Sequence, residues 1–210
     1  MNYSIDAVAL LAVLPFRGDT DRLLDVQIYA GRVWTTDGHL LIAHKLKQQE
    51  DTPDITAAHF LIDLANSQDA ATLTAMLKAC IKVNRYTPSF VDYNTESGVL
   101  HYGAQTLNLP VKPTPEALSF EATIPKLKNL GAVRALSLDG RYIGQLAKLS
   151  GGGKLLIYPT VNTGGIMFIT PPSGVWDALL MPVGKGPCNK SRGEPQLSSL
   201  WVCLAAAKGV

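Results

Sequence analysis

Charge is scarce in this 210-residue chain: Asp, Glu, Lys and Arg make up 17% of it, and 19 basic against 17 acidic residues leave a formal charge of +2. Soluble domains usually carry about 25% charged residues, so part of the surface is expected to be covered by another molecule. The near balance excludes a protein that coats nucleic acid by bulk positive charge. Cysteine is scarce too. Cys80, Cys188 and Cys203 stand far apart with no Cys-x-x-Cys pair, which excludes a disulfide framework and a cysteine-ligated zinc site and fits a reducing cytoplasm. No apolar run approaches the roughly 20 residues of a membrane-spanning helix. The run Ala7 to Leu14 stops at Pro15, and Asp6 precedes it where an export signal would carry Lys or Arg, so no membrane association is expected. Against these absences, apolar residues reach 47%, which excludes a disordered chain and allows a core that needs no metal or disulfide.

Sequence motifs for catalysis are also lacking. There is no Gly-x-Ser-x-Gly elbow and no His-Glu-x-x-His pair. Ser150-Gly151-Gly152-Gly153-Lys154 is not a phosphate loop, because Leu155 follows the Lys where Ser or Thr is required, and Lys148 stands where the first Gly belongs. Asp37, His39 and His44 are the one cluster with acid-base or metal-binding chemistry. Asp37-Gly38 is better explained as a hairpin turn, and on a strand His39 and His44 would face opposite sides. His59 and His101 fall in expected strands without Cys or Glu partners. The expectation is a protein that is not an enzyme, with no cofactor and no metal.

A unit of one amphipathic helix followed by short strands occurs three times. In the first copy Ser4 caps a helix with apolar positions Ala7, Leu10, Leu11 and Leu14; strands follow at Leu24 to Tyr29, Arg32 to Thr35 and Leu40 to Lys45. In the second a strand at His59 to Asp63 leads through Asn66 and Ser67 into a helix reaching about Val83, then strands at Ser89 to Tyr93, Val99 to Gly103 and Thr106 to Val111. In the third a strand at Val133 to Ser137 precedes a helix capped by Asp139 and ended by Gly151-Gly152-Gly153. Strands at Lys154 to Tyr158, Gly165 to Thr170 and Val175 to Met181 complete it. Lys112-Pro113-Thr114-Pro115 cannot continue a central strand. The expected boundaries are therefore a complete domain over 1–112, a linker with a partial domain over 113–183, and a linker with a tail over 184–210.

Two of the helices share a surface pattern. Lys78, Lys82 and Arg85 stand at i, i+4 and i+7 opposite Leu73, Leu77, Cys80 and Ile81. Arg141, Gln145 and Lys148 repeat that spacing opposite Tyr142, Leu146 and Leu149. Either face alone is an ordinary solvated surface; the two together suit a phosphate backbone held without base readout.

These residues resemble the bacterial DNA polymerase III beta subunit, the sliding clamp. Thr36-Asp37-Gly38-His39-Leu40-Leu41, with the preceding helix ending Val13-Leu14-Pro15 and with Arg22, is similar to the clamp's middle domain. Leu118 to Pro125, ending Thr123-Ile124-Pro125, is similar to the segment joining its middle and last domains. Leu138-Asp139-Gly140-Arg141-Tyr142, Gly165 to Thr170 and Leu179-Leu180-Met181-Pro182-Val183 are similar to the second half of its last domain. The family carries a basic residue where Leu40 stands, so one polar contact is not carried over.

The resemblance implies an α+β DNA-clamp architecture, helices lining a channel and sheets outside. It implies a peptide groove for DNA polymerase or repair proteins, walled by Thr36, Gly38, His39, Leu40, Leu41, Ile124, Tyr142, Met181, Pro182 and Val183, and duplex DNA against Lys78, Lys82, Arg85, Arg141, Gln145 and Lys148. Gln196, Leu197, Leu200 and Trp201 are similar to clamp-binding peptides, which makes a self-docked tail or a host sliding clamp a further expected partner. Clamps have six such halves per chain and three are read here. A homo-oligomer is therefore expected, a dimer in which two orphan third units complete one domain. The alternative is a truncated mimic, an adaptor or decoy that never encircles DNA. A phage or mobile-element source fits either.

Overall fold

In the computed structural model, residues 1–18, 25–64, 66–84, 87–112, 138–159 and 167–180 are described. Contacts divide the chain into two compact units, Met1–Asp37 with Ile42–Glu116, and Gly38–Leu41 with Ala117–Val210.

The first unit opens on a strand that the sequence reading did not include, β1 (Asn2–Asp6), which runs directly into α1 (Ala7–Val13). Asp6, not Ser4, is the helix cap: its Oδ1 accepts from the Val8 N–H at 2.9 Å and the Ala9 N–H at 3.3 Å. Ser4 is still inside the strand, and its hydroxyl donates across the sheet to Asp92 at 2.6 Å. Pro15 converts the end of the helix into a single 3₁₀ turn, Leu14–Phe16. Strands β2 (Val26–Tyr29), β3 (Arg32–Thr36) and β4 (Leu40–Lys45) follow. Ala30 and Gly31 join the first two with φ of 48° and 69°, the two positive values that a type I′ hairpin demands.

After β5 (His59–Ile62), the Asn66 side chain accepts from the Gln68 N–H at 3.0 Å and starts α2 (Ser67–Val83). The remaining strands are β6 (Phe90–Asn94), β7 (Val99–Tyr102), β8 (Gln105–Asn108) and β9 (Val111–Lys112). The expected single strand from Thr106 to Val111 is thus two strands in different sheets. The break comes at Leu109, whose N–H donates to the Gly98 carbonyl at 2.6 Å and whose carbonyl accepts from the buried Tyr93 hydroxyl at 2.6 Å. Pro110 beside it has no N–H to continue a ladder.

The two halves of this unit exchange strands. One sheet runs β1-β6-β7-β8, so the strand before α1 sits with the strands after α2; the other runs β4-β3-β2-β5-β9. The registers are antiparallel, Asn2↔Asn94 to Asp6↔Phe90 in the first case and Val26↔Ile62 to Tyr29↔His59 in the second. Helix α1 packs on α2. Leu10, Leu73, Leu77, Ile28 and Ile62 are wholly buried, each contributing about 1.5–3 kcal/mol. Phe60 stacks on Tyr93 and meets Tyr3 at a tilt, each at 5.4 Å, and so ties the two sheets together.

In the second unit Asp139 caps α3 (Gly140–Leu149), as expected. The Gly152 N–H reaches back to the Ala147 carbonyl at 2.8 Å and the Gly151 N–H to the Lys148 carbonyl at 3.0 Å. That is the Schellman pattern, and glycines with φ of 67° and 76° supply it. Strands β10 (Leu156–Pro159), β11 (Met167–Thr170) and β12 (Trp176–Leu180) form an antiparallel meander. The strand expected at Val133 to Ser137 lies outside the described residues.

Candidate functional site

Thr36 ends β3, and Gly38, with φ of 92°, turns the chain into β4. The turn leaves His39 exposed and Gly38 half-buried, while Leu40 and Leu41 point into the core, 0% and 6% exposed. Leu40 and Leu41 are therefore buried residues. Gly38–Leu41 share a compact unit with α3. The Asp139 carboxylate accepts from the Arg141 backbone N–H at 2.9 Å and from its guanidinium at 2.6 to 3.1 Å. Those bonds hold the Asp139 carboxyl below its ordinary pKa, and His39 adds a smaller electrostatic pull in the same direction. The His39 turn and the Asp139-Gly140-Arg141-Tyr142 segment, some hundred positions apart in sequence, share that unit, and Tyr142 stands half-buried on the first turn of α3. Ile124, Met181, Pro182 and Val183 lie outside the described residues.

Lys78 and Lys82 are exposed on α2, and Arg141, Gln145 and Lys148 on α3. The expected polar faces exist on both helices, although the Arg141 guanidinium is engaged by Asp139. Arg85 and the tail residues Gln196, Leu197, Leu200 and Trp201 lie outside the described residues. A feature that sequence reasoning missed is a cleft of about 450 Å³ in the first unit, lined by Leu11, Leu14 and Pro15, by Ala70, Ala71 and Thr74 of α2, and by the cations of Arg17 and Lys78. Arg17 is fixed there by donating to the Leu64 carbonyl at 2.9 Å. Its only sequence signal was a lone cation just after a helix stop.

All three glycine N–H groups of Gly151-Gly152-Gly153 are engaged within the turn, bonded to Lys148, Ala147 and Ser150 carbonyls, so none is left to hold a phosphate. His44 meets the Lys45 carbonyl through Nδ1 at 2.8 Å, and burial pushes its pKa down. Among the described residues no three His, Cys, Asp or Glu side chains come together as a metal set, and no helix is long and apolar enough to cross a membrane.

The chain is similar to the DNA polymerase sliding clamp of Pseudomonas aeruginosa, solved with a ligand, at 14% identity and a TM-score of 0.55 over 93% of this chain and 68% of that one. It is similar to DNA polymerase III subunit beta from Borrelia burgdorferi, solved with a natural product, at 10% identity and a TM-score of 0.58 over 89% of this chain and 63% of that one. A third likeness is to the sliding clamp of Caulobacter crescentus, at 14% identity and a TM-score of 0.51, over 93% of this chain and 69% of that one. No protein family model and no curated protein matches the sequence. The fold is that of the sliding clamps, α+β, and the chain spans only 63 to 69% of the clamps named here.

Proposed function

We propose that this chain is a non-enzymatic, sliding-clamp-like protein of DNA replication or repair in the cytoplasm, holding peptides of DNA polymerases or repair proteins in a groove. The observation that carries the reading is that Gly38–Leu41 fall in one compact unit with the Asp139 start of α3. An exposed imidazole, a half-buried aromatic ring and a buried Leu40-Leu41 pair combine apolar contact with a few polar groups, as peptide grooves do. Ile124, Met181, Pro182 and Val183 complete the proposed lining. Duplex DNA is held by Lys78, Lys82, Arg85, Arg141, Gln145 and Lys148 through phosphates alone, so retention falls steeply with salt.

The test is fluorescence polarisation with a labelled peptide carrying a Gln, a spaced Leu and an aromatic residue. Tyr142→Ala is expected to weaken binding about tenfold or more with the circular dichroism spectrum unchanged, the loss typical of an aromatic anchor. Binding that survives both Tyr142→Ala and His39→Ala refutes the groove. The coverage of about two thirds of a clamp favours a second reading, a partial clamp that acts as adaptor or decoy on a host clamp or its partners without encircling DNA. Retention on closed circular but not linear DNA separates the two, since only a ring is trapped topologically.

A further inference from the structure

The outward side of the α1–α2 pair is poor in charge for a helix surface. Helix α1 carries no charged residue. It buries Ala7, Ala9, Leu10 and Val13 and turns Val8 outward, 45% exposed, with Leu11 and Ala12 half-buried and Pro15 exposed just beyond it. Helix α2, packed on α1, adds exposed Ala71 and Ala75. A solvated helix face ordinarily carries polar and charged side chains, and apolar surface gathered in one place marks contact with another molecule. Leu11, Pro15 and Ala71 of this surface also line the cleft of about 450 Å³, a volume within the range of about 300–1,000 Å³ in which pockets hold ligands. Ala70, Thr74 and Lys78 stand at i, i+4 and i+8, so the lining follows two turns of α2, about 12 Å. That is the length of about three or four extended residues.

The polar chemistry of the cleft has one sign. Thr74 returns its hydroxyl to the Ala70 carbonyl at 2.8 Å, so the side-chain donors left in the lining are those of Arg17 and Lys78. No carboxylate lines the cleft, and among the described residues none pairs with either cation. One Arg17 nitrogen donates to the Leu64 carbonyl at 2.9 Å. That bond anchors the guanidinium, and its remaining N–H donors are left for an anion.

We infer that the cleft binds a short acidic segment of a partner protein, with an apolar side chain against Leu11, Leu14 and Pro15 and carboxylates on Arg17 and Lys78. The occupant is argued from the two halves of the lining together. A phosphate backbone satisfies the cations but offers nothing to the apolar wall, so that surface gains no burial from it. A purely apolar segment covers the wall but takes two cations out of water unpaired, which is costly. A segment carrying both groups meets both demands, and an Arg–carboxylate pair adds fixed geometry. The inference is independent of the peptide groove, none of whose residues lines this cleft. Lys78 belongs both to this site and to the proposed DNA face, so the acidic segment and a duplex compete for it.

Selection of a random-peptide display library on the full chain tests it, with the enriched peptides then measured by fluorescence polarisation. The expected peptides combine an apolar residue with Asp or Glu. Lys78→Glu and, separately, Ala71→Glu are each expected to weaken them at least about tenfold. Leu11→Gln removes apolar lining and no charge, and is expected to weaken them at least about fivefold. Lys47→Glu, the same change of charge at an exposed residue outside the lining, is expected to leave affinity within about twofold, and circular dichroism checks that every variant is folded. Enrichment of no peptide that depends on the cleft variants overturns the inference, whatever the fate of the groove, whose ligands answer to Tyr142 and His39. Peptides weakened by the charge changes but indifferent to Leu11→Gln overturn it equally. So does a DNA duplex that loses affinity on Ala71→Glu where no acidic peptide does, which assigns the cleft to phosphate.

Discussion

Replacing Asp6 with Ala removes the acceptor that starts α1. The carboxylate is 3% exposed and receives the Val8 N–H at 2.9 Å and the Ala9 N–H at 3.3 Å. Losing a helix cap costs about 1 kcal/mol and at most about 2. The Ala9 N–H lies in the buried part of the helix, and a buried donor left without a partner adds about 1–3 kcal/mol. The expected loss is therefore about 2–4 kcal/mol, larger than for an exposed cap because water cannot replace the carboxylate. Asp6→Asn keeps an acceptor oxygen in place and is expected to lose less than about 1 kcal/mol. Ser4→Ala removes only the 2.6 Å bond to Asp92 and is expected to lose about 0.5–1.5 kcal/mol. Urea unfolding followed by circular dichroism reads all three as shifts in midpoint at constant slope. A loss below about 0.5 kcal/mol for Asp6→Ala, or a greater loss for Ser4→Ala, refutes the assignment of the cap.

Tyr93→Phe leaves the buried Leu109 carbonyl without its 2.6 Å donor and is expected to lower stability by about 1–3 kcal/mol in the same urea assay. Cys80 is buried with its thiol pKa pushed up by desolvation, so a thiol reagent is expected to modify it only at the rate of unfolding; rapid labelling of native protein contradicts the packing. Burial lowers the His44 pKa from its ordinary 6.5, so the unfolded chain binds the extra proton first and stability rises with pH from the folded value up to 6.5. His44→Gln is expected to flatten that part of the pH–stability curve, and an unaltered slope counts against it. Asp139 titrates in the opposite setting: its folded pKa lies below 3.8, so the cap of α3 strengthens the fold above that pH and is lost on acidification through the folded value, a loss that Asp139→Asn is expected to abolish.

Much of the helix content was legible because its signals are local. Asn66 and Asp139 announce helix starts, the glycines after Ser150 announce a stop, and Ala30-Gly31 announces a hairpin. Strand β1 was not legible: its five residues carry no turn before α1, and only pairing with β6 makes them a strand. That absence misplaced the cap at Ser4, two residues early. The split of the expected Thr106 to Val111 strand depends on Tyr93 and Gly98 reaching Leu109, contacts that no window of sequence contains. At the candidate site the burial of Leu40 and Leu41 needed the fold, because both stand in one strand, where alternation would expose one of them.

The exchange of strands inside the first unit has a kinetic consequence. Strand β1 is synthesised well before its partner β6, which lies nearly ninety residues later, with Asn2 set against Asn94. Helix α1 must therefore wait beside an unpaired strand until α2 and β6 have been synthesised. Loop closure over such a span is slow compared with helix formation. The unit has no half that can be finished first, so its assembly is a single late event, closed when the opening strand is clasped.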